Sequence, residues 1–397
     1  MNSKVKLTQM GLLVGLMIFG ITGCWDSNEI DQLAIVTTSG VDIKQANSES
    51  PIYTVSLQIA RTSQLGTSPS GGSSSSTGSK DTFVTLERDG SDILTSLDKL
   101  QSQIARKAIR THRLAVVVGE SFAKYGLSPV LDEIVRHPGS RLRAHLFVSY
   151  HGKASTILNL PYAFSRLPSE AIDNLHSQGL LYHSTTKDFV QELNGKSDPW
   201  LPGIEPVETN SSKEPNTFNL SHIALFQNDK MVGWLDGEDV KGFNWLTNQV
   251  RGSIISVHVP GHVGTVNGES ITSKSKMRVR LVNGKPVIQI RINAEEETVA
   301  TSTNLNMRDP ENIKLVEAAF ADYIKNQSES ALTKIKQSKS DVLGIGELIY
   351  QRYPKVWHQM EPHWRDEFSR MPVDVQVRVK VMNSGSSGPS ITKQEIW

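Results

Sequence analysis

The chain is nearly devoid of cysteine: a single thiol, Cys24, serves 397 residues. With no second sulfur, a disulfide framework is excluded. Long apolar runs are also scarce. Beyond the first two dozen residues no stretch approaches the roughly 20 consecutive apolar residues that a spanning helix needs, so the remainder reads as a body in water. Net charge is almost absent, with 42 Lys+Arg against 41 Asp+Glu. That balance leaves no overall electrostatic footprint for nucleic acid or for an anionic surface. Basic clusters such as Arg106-Lys107-Ala-Ile-Arg110 and Arg141-Leu-Arg143 read as solvated faces or local ion pairs. What the chain does have is length and 38% hydrophobic residues, enough for two or three cores.

The first residues carry the most specific signal. Lys4 and Lys6 precede an apolar run from Met10 to Ile21 that ends in Ile21-Thr22-Gly23-Cys24. A basic start, a short apolar stretch and small residues at the cut are the plan of a secretory signal. An aliphatic residue, two small ones and then a thiol add the layout of a lipoprotein signal. Residues 1–23 are therefore expected to be removed between Gly23 and Cys24, leaving Cys24 with S-diacylglycerol and an N-acyl group. Two acyl chains give stable anchoring where one gives only reversible binding. The competing reading is an accidental cysteine behind an ordinary signal peptide.

Along the rest, residues 33–43, 52–61 and 83–86 read as strands. The Ser/Gly-rich segment 66–80 between them reads as a flexible loop, with a domain boundary as the alternative. Apolar spacing predicts helices over 91–107 and about 121–136. Strands are predicted at 112–118 and 142–150, and shorter helices around 169–180 and 186–194. This alternation is that of an α/β domain. The proline-rich stretch from Asp198 to Pro215 reads as a linker or long loop. A hairpin follows over 223–234, then a helix near 237–248, a strand at 253–259 and a long hairpin turned by Asn283-Gly284. Asp309-Pro310-Glu311 opens a helix whose stripe Ile313, Val316, Phe320, Ile324, Ala331 and Ile335 reads as a domain's own core. The expected organisation is a mixed α/β, multidomain chain with mixed sheets each packed by helices. Its parts are an N-terminal α/β domain over 24–200, a small middle domain over 201–270 and a C-terminal α/β domain over 271–397.

Chemistry is suggested at four places, and none makes a site. Gly119-Glu-Ser121-Phe-Ala123 sits where a hydrolase nucleophile elbow would, but Ser121 reads as a helix cap. His358, Glu361 and His363 lie close together, yet Pro362 breaks the register that zincin ligands need. Pro260 and Gly261 do the same to His258 and His262. Gly344-Ile-Gly346 lacks the third glycine of a dinucleotide fingerprint. No catalytic, cofactor or metal residue is assigned.

Several ordered fragments give a resemblance. They are Gly23-Cys24-Trp25-Asp26, Gly40-Val-Asp42, the helix from Gly90 to Arg106 and His112-Arg-Leu-Ala-Val-Val-Val-Gly-Glu120. Further on come Ala224 to Leu235, Ser340-Asp-Val-Leu-Gly-Ile-Gly346 and Tyr353-Pro-Lys-Val-Trp357 with Trp364 and Phe368. Together they resemble the Ger(x)C spore germination lipoproteins, the C subunits of nutrient germinant receptors. The resemblance implies a three-domain, non-enzymatic protein anchored through Cys24 to the outer face of the inner spore membrane. It also implies A and B membrane subunits as partners. Two other classes stay open on the residues alone: a solute-capturing lipoprotein that delivers a ligand to a transporter, and a hydrolase resting on Ser121.

Overall fold

The computed structural model describes residues 32–46, 49–61, 82–137, 139–160, 165, 167–177, 185–207, 217–250 and 252–383. The lipoprotein signal and the Ser/Gly-rich segment 66–80 lie outside these residues. The fold is mixed α/β and multidomain, built on two mixed sheets.

The first sheet has nine strands. β1 (Leu33–Lys44), β2 (Ile52–Ala60) and β3 (Phe83–Gly90) form an antiparallel meander. From β1 the sheet continues in parallel through β5 (Ala115–Gly119), β6 (His145–Ser149) and β7 (Trp200–Val207), while the short β4 (Lys107–Ile109) pairs with the start of β1. The antiparallel strands β8 (Thr217–Gln227) and β9 (Lys230–Asp236) close it. β5 and β6 are buried throughout, as the apolar run Ala115-Val-Val-Val118 demands of parallel strands covered on both faces.

Three sequence expectations give way here. The helix expected to reach Lys107 stops after α1 (Ile93–Gln101). The Gln101 side chain accepts Ala108 N at 3.0 Å and donates to Arg106 O at 2.9 Å, turning the chain so that Lys107–Ile109 pairs with β1 instead. The helix expected over 121–136 is two, α2 (Glu120–Tyr125) and α3 (Ser128–Arg136), because Gly126 has φ +137°, which a helix cannot accommodate. Of the supposed linker from Asp198 to Pro215, Trp200–Val207 is β7, and 208–215 lie outside the described residues. The parallel ladder of β7 to β6 involves only Gly203 and Ile204, so Pro202 and Pro206, which have no N–H, stay outside it.

Helices α4 (Ala154–Asn159), α5 (Pro168–Ser177) and α6 (Thr186–Leu193) complete the layers on this sheet. α7 (Glu238–Thr247) leads to the second sheet, which has the order β10 (Ile254–Val257), β11 (Val266–Val282), β12 (Lys285–Thr301) and β13 (Val373–Asn383). Asn283 and Gly284 turn β11 into β12 with φ +51° and +77°. Across this sheet lies α8 (Pro310–Gln337), N-capped by Asp309, which accepts Glu311 N at 3.0 Å. Its stripe from Val316 to Ile335 is core, although Ile313 is only half-buried. α9 (Ile345–Arg352), α10 (Pro354–Met360) and α11 (Trp364–Arg370) follow.

The two sheets share apolar packing through β7–β9. One face of those strands (Leu201, Ala224, Phe226, Met231) belongs to the core of the first sheet. The other (Trp200, Ile223, Leu225, Leu235) belongs to the core that holds α7, α8 and the second sheet.

A carboxyl group sits beneath α8 in that second core. Glu296 on β12 is fully buried; its Oε1 accepts Ser270 Oγ at 2.9 Å and its Oε2 has no partner. Burial pushes its pKa up to about 7, and the serine offsets only part of that. The folded chain therefore holds this proton where the unfolded chain has lost it, so stability falls as pH rises from the ordinary carboxylate range through about 7. Glu296→Gln cannot ionise. The variant is expected to flatten the decline between about pH 5 and pH 8 and to be the more stable form at the upper end by about 1–2 kcal/mol. Urea denaturation across that range checks it, and parallel profiles would show that Glu296 does not titrate there.

Candidate functional site: the junction between the sheets

A polar assembly lies where the turn after α6 enters β7. Asp198, buried, receives hydrogen bonds from three distant segments. Asn228 N donates to Oδ1 at 3.0 Å and Asp341 N to Oδ2 at 2.9 Å. Arg365 lays both terminal nitrogens on the carboxylate at 3.0 and 3.2 Å, and its Nη1 also reaches Lys339 O at 3.1 Å. Asp198 N in turn donates to Asp341 O at 3.0 Å. A fork on both oxygens is the strong geometry for a guanidinium and a carboxylate.

Asp341 faces away and caps α9, accepting Ile345 N at 2.9 Å and Gly346 N at 2.6 Å. Burial pushes its pKa up to about 8 against those two donors. The glycines of Gly344-Ile-Gly346 thus serve packing: Gly344 has φ +72°, and a Cβ on Gly346 would collide with Lys196 O and the Trp357 ring. Lys196 N donates to Glu347 Oε2 at 3.2 Å, and its Nζ pairs with Glu361 at 2.8 Å. Gln227 Nε2 reaches Ser338 O at 2.8 Å, and Ser340 Oγ donates to Phe226 O. Trp357 and Trp364, with centroids 5.0 Å apart, wall a cleft of about 380 Å³ between residues 195–198 and 357–366. This arrangement binds the hairpin β8–β9, the 338–346 segment and helices α9–α11 to one carboxylate. It offers rigidity; it presents no nucleophile with an adjacent base.

A second cluster occupies the carboxyl ends of the parallel strands. Asp42 accepts Ala154 N at 2.8 Å and Ser155 N at 3.1 Å at the start of α4, and burial raises its pKa. Tyr150 stacks on His222 with centroids 3.5 Å apart and planes 6° from parallel. The imidazole lies between Glu205 at 3.0 Å and Asp236 at 2.8 Å.

The residues singled out from sequence are scattered. Ser121 does not cap a helix: Gly119 occupies the cap position of α2, and Ser121 is exposed one residue inside it. Its neighbour Glu120 is taken by Lys124 at 2.6 Å and His151 at 2.9 Å. Ser121→Ala is accordingly expected to change stability by less than about 0.5 kcal/mol in thermal melts, where a lost cap would cost about 1. His258 Nδ1 lies 2.9 Å from Gly264 O, and His358 is 3.7 Å from Glu361. No three metal-ligating side chains converge among the described residues. Ile21, Gly23 and Cys24 lie outside the described residues. Sequence reasoning missed Asp198 and Arg365, which sit in segments without a local pattern, and Tyr150 and His222, which meet only through sheet order.

The fragments at Ala224–Leu235, Ser340–Gly346 and Tyr353–Trp357, with Trp364 and Phe368, all converge on this junction. Comparison with known proteins places both halves of the chain. Residues 26–206 match the spore germination protein N-terminal domain, and residues 221–385 match the "Spore germination B3/GerAC like, C-terminal" family. The chain belongs to the GerAC-like family of spore germination proteins. It is 27% identical to the putative spore germination protein YfkR of Bacillus subtilis (strain 168), over 97% of this chain and 98% of that protein. It is 24% identical to spore germination protein KC of the same organism, over 98% and 99%. Among solved structures it resembles the GerBC protein, with a TM-score of 0.54 and 17% identity, covering 87% of this chain and 97% of that one. This family membership extends through both sheets and the junction between them. No helix of the described residues is long and apolar enough to cross a membrane.

Proposed function

We propose that the chain is a lipid-anchored, non-enzymatic subunit of a spore germinant receptor, held at the outer face of the inner spore membrane through Cys24. In this reading it assembles with an A and a B membrane subunit and is needed for nutrient-triggered germination. The observation that carries it is the family match along nearly the whole chain. The chemistry agrees. The junction is a framework of hydrogen bonds centred on Asp198, with packed indoles beside it, suited to holding surfaces for partners in fixed relation.

Deleting the gene tests the proposal. Spores should lose the response to the nutrients this receptor serves and keep the response to a non-nutrient trigger, with recovery when the intact gene is restored. An undiminished response to every nutrient, or equal loss of both responses, would overturn it.

A further inference from the structure

The near-neutral composition conceals a polarised molecule. β1, β4, β5 and β6 run in parallel, so they all begin at one edge of the first sheet. The segments 106–113 and 139–145, which enter β4, β5 and β6 there, contain Arg106, Lys107, Arg110, Arg113, Arg141 and Arg143 and no Asp or Glu. Arg113 and Arg143 each lie two residues before the paired Ala115 and His145. Lys187, whose backbone N donates to Leu142 O at 2.9 Å, adds a charge beside them. The carboxylates of Asp42, Glu120, Glu205 and Asp236 gather at the opposite edge, where these parallel strands end.

The basic edge also has a cavity. A pocket of about 330 Å³ is lined by His112, Arg113, Arg141, Arg143, His145 and Asp173, with uncharged residues among them. Arg141, Arg143 and His112 are exposed. Arg113 is 5% exposed yet makes only distant contacts, 3.4 Å to Ser39 Oγ, 3.4 Å to Ser140 Oγ and 3.8 Å to Glu133, and its Nε has no partner. Glu133 is shared with Arg110 at 3.2 Å, and Asp173 lies 3.8 Å from His145. Two carboxylates thus face a larger number of cations, and fork-shaped guanidinium donors suit a phosphate.

Chain connectivity says which phosphate. β1 begins at Leu33, on this same edge and paired with Lys107. Eight residues lie between it and Cys24, a tether of at most roughly 30 Å. A lipid on Cys24 therefore holds the basic edge, rather than the acidic one, near the headgroups. Close to an anionic surface each Lys or Arg contributes attraction that fades within a Debye length.

We propose that this edge is the membrane-docking face of the protein, with a phospholipid headgroup phosphate seated in the pocket formed by Arg113, Arg141 and Arg143. The inference rests on lipidation at Cys24. The lipidated mature chain would be reconstituted into vesicles of phosphatidylcholine alone or of phosphatidylcholine with phosphatidylglycerol, and amide hydrogen exchange followed in 106–113 and 139–145. Slower exchange in both segments on the anionic vesicles only, lost in Arg141→Glu/Arg143→Glu and separately weakened in Lys107→Glu, is the expected result. Equal exchange on both vesicle types, or slowing by inorganic phosphate on neutral vesicles without slowing by phosphatidylglycerol, would overturn it. So would protection that appears only when a partner protein is added. A chain that joins neither vesicle type would instead refute the anchor on which the inference stands, so the two failures are distinguishable.

Discussion

Arg365→Ala is expected to lower the stability of the folded chain by about 2–3 kcal/mol, because it strips a buried carboxylate of its bidentate partner. Asp198 keeps only the N–H groups of Asn228 and Asp341, and both come from segments that Arg365 helps to hold. The guanidinium side chain is one-third exposed while the Asp198 side chain is 8% exposed, so the cost falls mostly on the stranded aspartate. Arg365→Lys should recover only part of the loss, since one ammonium cannot bridge both oxygens at the fork spacing. Equilibrium urea denaturation of the two variants checks this. A change below about 0.5 kcal/mol for Arg365→Ala would show that the junction is not held through this pair. Loss of the junction should also reach function. A variant that still folds but lets the two sheets move would respond weakly to nutrient while remaining present at normal abundance.

Why Arg365 was invisible in the sequence is instructive. Local order was legible wherever a short segment decides its own conformation: the Asn228-Asp229 and Asn283-Gly284 turns, the Asp309-Pro310 helix start and the buried Val116–Val118 run all hold in the fold. Elements failed where a tertiary partner overrides a local pattern. Ile104 and Ala108 continue a helical spacing, but the open edge of β1 takes Lys107–Ile109 as a strand. Pro202 and Pro206 suggest a linker, but β8 supplies an antiparallel partner that makes the segment a strand. The junction was half legible. Its motifs stood out as fragments of a family pattern, while the reason for their grouping, one aspartate receiving hydrogen bonds from residues up to 167 positions away, needed the fold. The same holds for the basic edge, since Arg106-Lys107 and Arg141-Leu-Arg143 read singly as solvated clusters and acquire a direction only when parallel strand order places them together.

Cys24→Ala is expected to move the protein almost entirely from the membrane fraction to the soluble fraction, or to leave it as an uncleaved precursor. The size of the effect follows from the number of acyl groups. Each buried methylene contributes about 0.8 kcal/mol, so a diacylglycerol on the sulfur dominates any surface attraction the protein body can add. The basic edge alone gives at most about 1 kcal/mol for each Lys or Arg close to an anionic surface, less with every ångström of separation and with added salt. It can orient a tethered body, but it cannot replace the tether. Fractionation at low and at high salt separates the two contributions. The intact chain should stay with the membrane at both, and Cys24→Ala should leave it at both, with any residual low-salt association abolished by Arg141→Glu/Arg143→Glu. Mass measurement of the N-terminal peptide supplies the covalent check, a diacylglycerol and an N-acyl group on residue 24. An unmodified thiol there, with unchanged fractionation of the alanine variant, would show that something other than Cys24 holds this protein at the membrane.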